Sequence, residues 1–563
     1  MHSSNPDPRQ VRRIKVVGLL LILALVGLHL IHLGADPPDS LWTESFGPFV
    51  DEGYKTLDAR NLTLFGQTHW NDQDDYPGWM PRSPITQLSF LAAFRVLGQE
   101  IENARLVTIL WFLLLLLTAF WAISDSDTPG AVYLGLALIG TNLTLFAFSR
   151  LAIFEIPNAL IVLISILTLK KLPQHRPFLS LAALLLCLFV GAFGVKPSVL
   201  LYFLPLIGAV GLFYLVRLPN RSHRLGILAF SAFVLGGLLI FFHDSWMPRL
   251  DFDASRIVRE FFASPIAWAH PLLAAATFLA VARGLYSDWR RFLSTPYRVA
   301  LVGVCVGGTL LLSLFRYNPL RYYVPLLPAF ILLAVDSLHL EAANTRARAE
   351  GTLISRVLSG SVLFLALVSM GLATNRLLLG WIIPEQHALP SYVAPLRFTQ
   401  VFLMATLAAL LVVATPVQKL LFNKRVSSTT SVVLLVLSLL ANVIAVSQDL
   451  SSPNLERARI SREIEELLPQ GASIGGDWAP LFAIGTQLKA LYMNQDFNAP
   501  SRIKLVRPEY LLLSDTYDMR DFWKVLEADT EVDVEPAIYE SEFQARRISV
   551  HPLTYGPRTV TQP

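Results

Sequence analysis

Charged residues are scarce in this sequence: 16% of 563 positions, against 53% that are hydrophobic. A water-soluble chain of this length would need far more charge to cover its surface, which excludes a string of ordinary globular domains. Cysteine is nearly missing. Cys187 and Cys305 lie inside apolar runs with no His or Cys at metal-ligand spacing, so they read as small core residues and not as a disulfide or metal site. The net charge of +4 is spread among loops, and no basic stripe offers a track for nucleic acid. GxGxxG and Walker spacings are absent, so the Gly475-Gly476 pair reads as a turn and not as a phosphate loop. Internal repeats and low-complexity tracts are lacking as well.

Long apolar runs are what the sequence has instead. They fall near 16–33, 104–123, 131–149, 153–169, 178–194, 197–216, 225–242, 270–285, 299–315, 322–338, 354–375, 399–418 and 430–447. Each approaches the roughly 17–25 residues needed to cross a bilayer. The first follows Arg12, Arg13 and Lys15 and has no convincing cleavage site after it, so it reads as a retained span with a cytoplasmic N-terminus. About thirteen spans put the termini on opposite sides. The positive-inside rule tests that count. The connections expected in the cytoplasm carry Lys170, Lys171 and Arg176; Arg217, Arg221 and Arg224; Arg283, Arg290, Arg291 and Arg298; Arg346, Arg348 and Arg356; Lys419, Lys424 and Arg425. Only the turn SDSDTPG at 124–130 lacks a cation.

The expected fold is therefore a polytopic α-helical membrane protein. Residues 1–449 form the membrane domain, and its first outer loop, 34–103, includes an amphipathic helix over ITQLSFLAAFRVLG. Residues 450–563 are polar enough for a small α/β domain on the outer, extracytoplasmic face. Helices are expected over SPNLERARISREIEELLP and RDFWKVLEA, and strands over SIGGDW, YLLLSD and ARRISVHPL.

On the outer face ionisable residues gather where a membrane protein has least reason to keep them. Asp51, Glu52 and Arg60 follow the first span; Arg150, Glu155, Lys196, Asp244, Arg249, Arg316 and Arg321 sit at span ends or in short connections. Such groups are costly at membrane depth and face a cavity or a partner. Each has a plainer reading. Arg316 and Arg321 could be snorkelling anchors, Lys196 a helix-end cation, Glu155 a partner of Arg150, and Asp51-Glu52 a helix N-terminal acid pair. Outer cations beside buried-edge acids still make a site for an anionic lipid head. The NLT triplets at Asn61 and Asn142 match a glycosylation pattern and read as chance.

The ordered set DEGYKTLDAR, RSPITQLSFLAAFRVLGQEIENARL, SRLAIFEIPNAL, VKPSVL and LRYYVPLLPAFILL resembles the GT-C fold polyprenyl-phosphate-dependent glycosyltransferases, of the protein O-mannosyltransferase and lipid A aminoarabinose transferase type. It covers roughly residues 16–340. Glu155 stands where many relatives have Asp, and two departures matter: the region after 340 matches only as more spans and then a soluble outer domain, and Arg82-Ser83-Pro84 stands where relatives often have Lys-Pro or Pro-Pro. The second would pass the donor-phosphate contact to Arg82 or remove it. The resemblance implies a sugar moved from a polyprenyl-phosphate donor to a lipid, protein or glycan acceptor at the outer face of the bacterial inner membrane, with no cofactor required. A phosphate leaving group needs charge stabilisation, for which Arg60, Arg82, Lys196, Arg316 and Arg321 are candidates, with Tyr322 packing on lipid or sugar. The acceptor hydroxyl needs a base, assigned to Asp51, with inversion at the sugar carbon. Neighbours on a helix point about 100° apart, so Glu52 should position Arg60 or a backbone group, and Glu155 should be the second acid of the site, contacting sugar or acceptor. Tyr54 and His69 could contact acceptor or sugar. Asp72, Asp74 and Asp75 could hold a divalent cation. The rival readings are a transporter or flippase for a lipid-linked or anionic substrate, and a membrane scaffold presenting the C-terminal domain.

Overall fold

The computed structural model describes residues 8–37, 47–343 and 424–556 apart from short gaps, with residues 359, 362, 363 and 366. Every expected span on described residues coincides with a helix or a helix pair. Those at 354–375 and 399–418 fall almost wholly outside, as do Arg249 and the side chain of Asp244. Six helices among the described residues are long and apolar enough to cross a membrane, or seven if a bent pair counts as one span. The chain is a multi-pass membrane protein.

The helices used below are α1 (Pro8–Leu30), α2 (Gly47–Leu64), α3 (Pro84–Leu97), α4 (Ile101–Ile123), α5 (Pro129–Thr141), α6 (Leu143–Ser149), α7 (Glu155–Lys171), α8 (Pro177–Val190) and α9 (Leu200–Arg217). After them come α10 (Pro271–Phe292), α11 (Leu327–Ala343), α12 (Lys424–Ser451) and α13 (Glu456–Leu467). α5 and α6 are the bent pair, at 56°. The bend falls on Asn142, whose side chain caps α6 by accepting from Leu145 N. Asn142 and Asn61 are both 1% exposed, so neither NLT triplet presents its asparagine to solvent.

The two ends of the bundle differ in chemistry. At the end holding the last turns of α4, α7, α9 and α10, Lys170 donates to Ala122 O, Lys171 lies over the Trp121 ring and Arg217 donates to Ser294 O and Arg290 O. Glu155 begins α7 and Lys171 ends it, about 24 Å apart along the axis. Glu155 marks the other end, where α2, α3 and the C-terminal domain sit.

That domain is a sheet of β1 (Ser473–Gly476), β2 (Lys489–Tyr492), β3 (Tyr510–Ser514), β4 (Val532–Val534), β5 (Tyr539–Phe543) and β6 (Arg546–Tyr555). β1 lies between β2 and β3 and is parallel to both, while β6 runs antiparallel to β3, β4 and β5. Gly475-Gly476 is not a turn, as its composition suggested, but part of the wholly buried β1. A side chain at Gly475 would overlap Met493, and one at Gly476 the Leu512 carbonyl, so the pair serves close packing. Glycine serves α2 in the same way. Gly53 lies against the backbone of Pro480 and Leu481, and any side chain there would overlap them. The membrane domain and the sheet domain thus meet backbone to backbone one residue from the acid pair.

Candidate functional site

Three breaks in regular structure bring the charges together. Pro197 forces Lys196 into extended backbone (φ −166°, ψ 131°) between α8 and α9, since a residue before proline is pushed out of the helical region. Pro319 precedes, and Pro325 lies within, a tight 3₁₀ stretch, Leu320–Leu326, which carries Arg321 ahead of α11. Glu155 occupies the first turn of α7, where a carboxylate suits the positive helix end.

α2 supplies the rest. Asp51, Tyr54, Lys55 and Asp58 share one face of it at i, i+3, i+4 and i+7. Asp51 receives hydrogen bonds from the Tyr54 hydroxyl and from Lys55 Nζ, at 2.7 Å, on its two oxygens, and Arg321 Nη1 joins Lys55 on Oδ2. Lys55 Nζ is also 3.9 Å from Glu155 Oε1, which takes Lys196 Nζ at 2.7 Å. The result is an alternating ladder, Arg321–Asp51–Lys55–Glu155–Lys196, three cations against two carboxylates, one net positive charge. Asp51, Lys55 and Glu155 are at most 7% exposed. Burial opposes ionisation of Asp51, but Arg321, Lys55 and the Tyr54 hydrogen bond outweigh it and hold the carboxyl well below the usual range. Burial likewise pulls the Lys55 ammonium down, while Asp51 and Glu155 work to keep its proton on.

Glu52 belongs to another network. It forms a bidentate pair with Arg105 (2.9 and 2.7 Å) and accepts from Ala152 N at 2.6 Å. Arg105 also donates to Leu33 O and Ala35 O, tying the segment after α1 to α2 and α4. The expected partner Arg60 lies elsewhere: fully buried, it donates to Thr486 O and Leu488 O of the sheet domain. Arg60 is thus a docking residue and not part of the ladder.

The remaining candidates separate in the same way. Arg82 is exposed. The Arg316 side chain is 70% exposed and 3.9 Å from Asp251. Arg150 pairs with Asp449 and not with Glu155, and donates to Ile31 O and His32 O. Tyr322 is half-buried below the Arg321 guanidinium, and its carbonyl accepts from Tyr202. His69 is 3.3 Å from Asp74, and Asp72 is exposed. Asp74 and Asp75 bind Asn498, with Arg502 on Asp75, so they hold the outer loop to the sheet domain. No group of three or more potential metal ligands is found among the described residues.

Sequence reasoning missed Lys55, although its i+4 spacing from Asp51 was visible. Trp79, Phe154 and Tyr54 rings surround its ammonium at 5.6–5.9 Å, and its carbonyl accepts from Gln87 of α3 at 2.5 Å. Tyr492 was missed too. It lies on β2, and its ring centroid is 4.9 Å from that of Tyr54, so the sheet domain reaches the residue that bonds Asp51.

A helical membrane protein with a buried ladder of charge beneath a small α/β domain is the class that fold and site define. No family model and no curated protein sequence matches the chain. Solved structures do. ArnT from Cupriavidus metallidurans bound to undecaprenyl phosphate matches with a TM-score of 0.50 and 14% identity, covering 97% of this chain and 98% of that one. The same protein in the apo state matches with a TM-score of 0.50 and 15% identity, over 94% and 97%. The GT-C resemblance read from the ordered motifs is met at the level of the fold, from one end of the chain to the other.

Proposed function

We propose that this protein is a membrane glycosyltransferase that moves a sugar from a polyprenyl-phosphate donor to an acceptor hydroxyl at the outer face of a bacterial inner membrane. The supporting observation is the ladder itself. A polyprenyl-phosphoryl sugar is a phosphodiester with one negative charge, which would bring the net charge of the buried site to zero. During transfer the acceptor oxygen bonds to the anomeric carbon, the bond from that carbon to the phosphate oxygen breaks, and the acceptor proton passes to Asp51. The departing phosphate gains a second negative charge, and Arg321, Lys55 and Lys196 are placed to stabilise it. Attack from the side opposite the leaving group inverts the sugar carbon.

The ladder also suggests an order of events. Asp51 gripped by Arg321 and Lys55 is a weak base. A phosphodiester that draws those cations toward itself restores the basicity of Asp51 in the loaded state. The positive-inside rule assigns the cation-rich end of the bundle to the cytoplasm, which supports an outer location for the ladder.

The test is release of undecaprenyl phosphate from an undecaprenyl-phosphoryl sugar by purified protein in nanodiscs, with lipid, peptide and glycan acceptors offered in turn. Asp51→Asn should cut turnover by roughly a hundred-fold or more while donor binding persists. Near-normal turnover in that variant removes Asp51 as the base.

A further inference from the structure

Two buried hydrogen-bond acceptors near the start of α7 have no partner. Glu155 is 2% exposed and Asn158 1%. Glu155 Oε1 takes Lys196, but Oε2 takes nothing. Asn158 Nδ2 donates to Ser198 Oγ at 3.3 Å, and its Oδ1 is likewise without a donor. Residues three apart on a helix share a face, and both side chains meet the same Lys196–Ser198 segment, at the inner end of the ladder. Buried acceptors are nearly always satisfied, and leaving them bare is destabilising. An apolar residue at 158 would have packed this face without the deficit.

We propose that Glu155 Oε2 and Asn158 Oδ1 form the subsite for the transferred sugar, accept two of its hydroxyl protons, and select a sugar that carries no amino group. The inference rests on the glycosyltransferase reading above and narrows its substrate. Two bare acceptors on one face of a helix ask for a ligand with two donors, which a sugar ring offers through its hydroxyls. Charge decides between hydroxyl and ammonium. Glu155 Oε1 already has Lys196 Nζ at 2.7 Å and Lys55 Nζ at 3.9 Å, and the ladder as a whole carries an excess positive charge. A donor phosphodiester neutralises that excess. An ammonium on the sugar would restore it, close to two like charges and away from bulk water.

The experiment is a binding titration on the full chain in nanodiscs with three lipids. These are undecaprenyl phosphate, undecaprenyl-phosphoryl glucose, and the same glucosyl lipid with an amine in place of the 4-hydroxyl. Two variants, Asn158→Leu and Asn158→Ser, stand beside the wild type. Loss of one hydrogen bond should weaken the glucosyl lipid roughly ten-fold in both variants and leave undecaprenyl phosphate unchanged, which also reports that the variants are folded. The amino lipid should bind the wild type at least about ten-fold more weakly than the glucosyl lipid. Equal losses for bare and sugar-linked lipid in the variants would make Asn158 a packing residue, and no loss for either would mean that the acceptors serve something other than sugar. Each overturns the subsite. An amino lipid that binds as tightly as the glucosyl lipid overturns the selection. If the wild type binds none of the three, the glycosyltransferase reading itself falls and this inference falls with it.

Discussion

Asp51 and Glu52 are neighbours in the chain, yet their carboxylates belong to separate charge networks. Asp51 is held by Lys55 and Arg321 in the ladder, while Glu52 grips Arg105 and the Ala152 amide, fully buried. One step along α2 turns a side chain through about 100°, enough to put two adjacent carboxylates in different networks.

The separation predicts opposite phenotypes. Glu52→Ala leaves the Arg105 guanidinium buried without its counter-ion, a change that costs about 3–5 kcal/mol. It should lower the melting temperature in detergent and the yield of folded protein. Asp51→Asn should remain folded, though less stable, and lose turnover. A Glu52→Ala protein with an unchanged melting temperature and lost turnover would move Glu52 into the chemistry.

The sign of the Asp51 shift fixes a pH dependence. Its folded pKa lies below the unfolded value of about 3.9. The stability it contributes is therefore complete above pH of about 4 and is lost as the pH falls through the lower folded value. Thermal melts of wild type and Asp51→Asn should differ by a constant gap from pH 7 to about 4, and the gap should narrow below that. Lys55→Met should weaken binding of undecaprenyl-phosphoryl sugar roughly ten-fold and move the acid limb of turnover to higher pH, because Asp51 loses one of the two cations that hold its proton off. An acid limb that stays in place would show that Arg321 alone sets the acidity.

How much of this was legible in the sequence follows from the range of each interaction. Helix positions came from apolar length, which is local, and the sidedness expected for the ladder from cations counted loop by loop. Asp51, Glu155, Lys196 and Arg321 stood out because a charge at a span end is unusual in itself. Lys55 did not, since an acid and a lysine four apart look like any solvated helix pair; only α3, Trp79 and Phe154 closing over it make it buried. Glu52 finds Arg105 and Arg60 finds Thr486 O and Leu488 O across 53, 426 and 428 residues. Backbone carbonyls have no sequence signature, so the docking role of Arg60 was invisible. The short β2, β4 and β5 were missed because three to five residues carry too little periodicity to read.

His69 gives a second pH-dependent element, outside the membrane. The hydrogen bond that its ring donates to the Asp74 carboxylate raises its pKa, against the opposing effect of partial burial. Such a group stabilises the fold fully below its unfolded value of about 6.5, and that contribution is lost as pH rises through the higher folded value. Hydrogen exchange over the 66–80 loop should therefore speed up between pH 6 and 8 beyond the intrinsic base catalysis of exchange. In His69→Asn the excess should be absent; an excess that persists there would assign it to another group.

Arg60 makes the last prediction, because two backbone carbonyls depend on one side chain. In Arg60→Ala, Thr486 O and Leu488 O lose a charged donor at a buried interface, worth about 1.5–3 kcal/mol for a hydrogen bond to a charged group. The sheet domain would keep its other ties to the loop, through Asn71 to Val506 O and through Asp74 and Asp75 to Asn498, so the domain should loosen and not unfold. Limited proteolysis should then cut near 484–490 in the variant while the sheet core stays protected. Because Tyr492 on β2 packs on Tyr54, which bonds Asp51, the same loosening should lower turnover several-fold with little effect on binding of undecaprenyl phosphate, since among the described residues Arg321, Lys55 and Lys196 make no hydrogen bond to the 484–490 segment. Turnover that is untouched while the 484–490 segment becomes cleavable would separate the domain from the reaction.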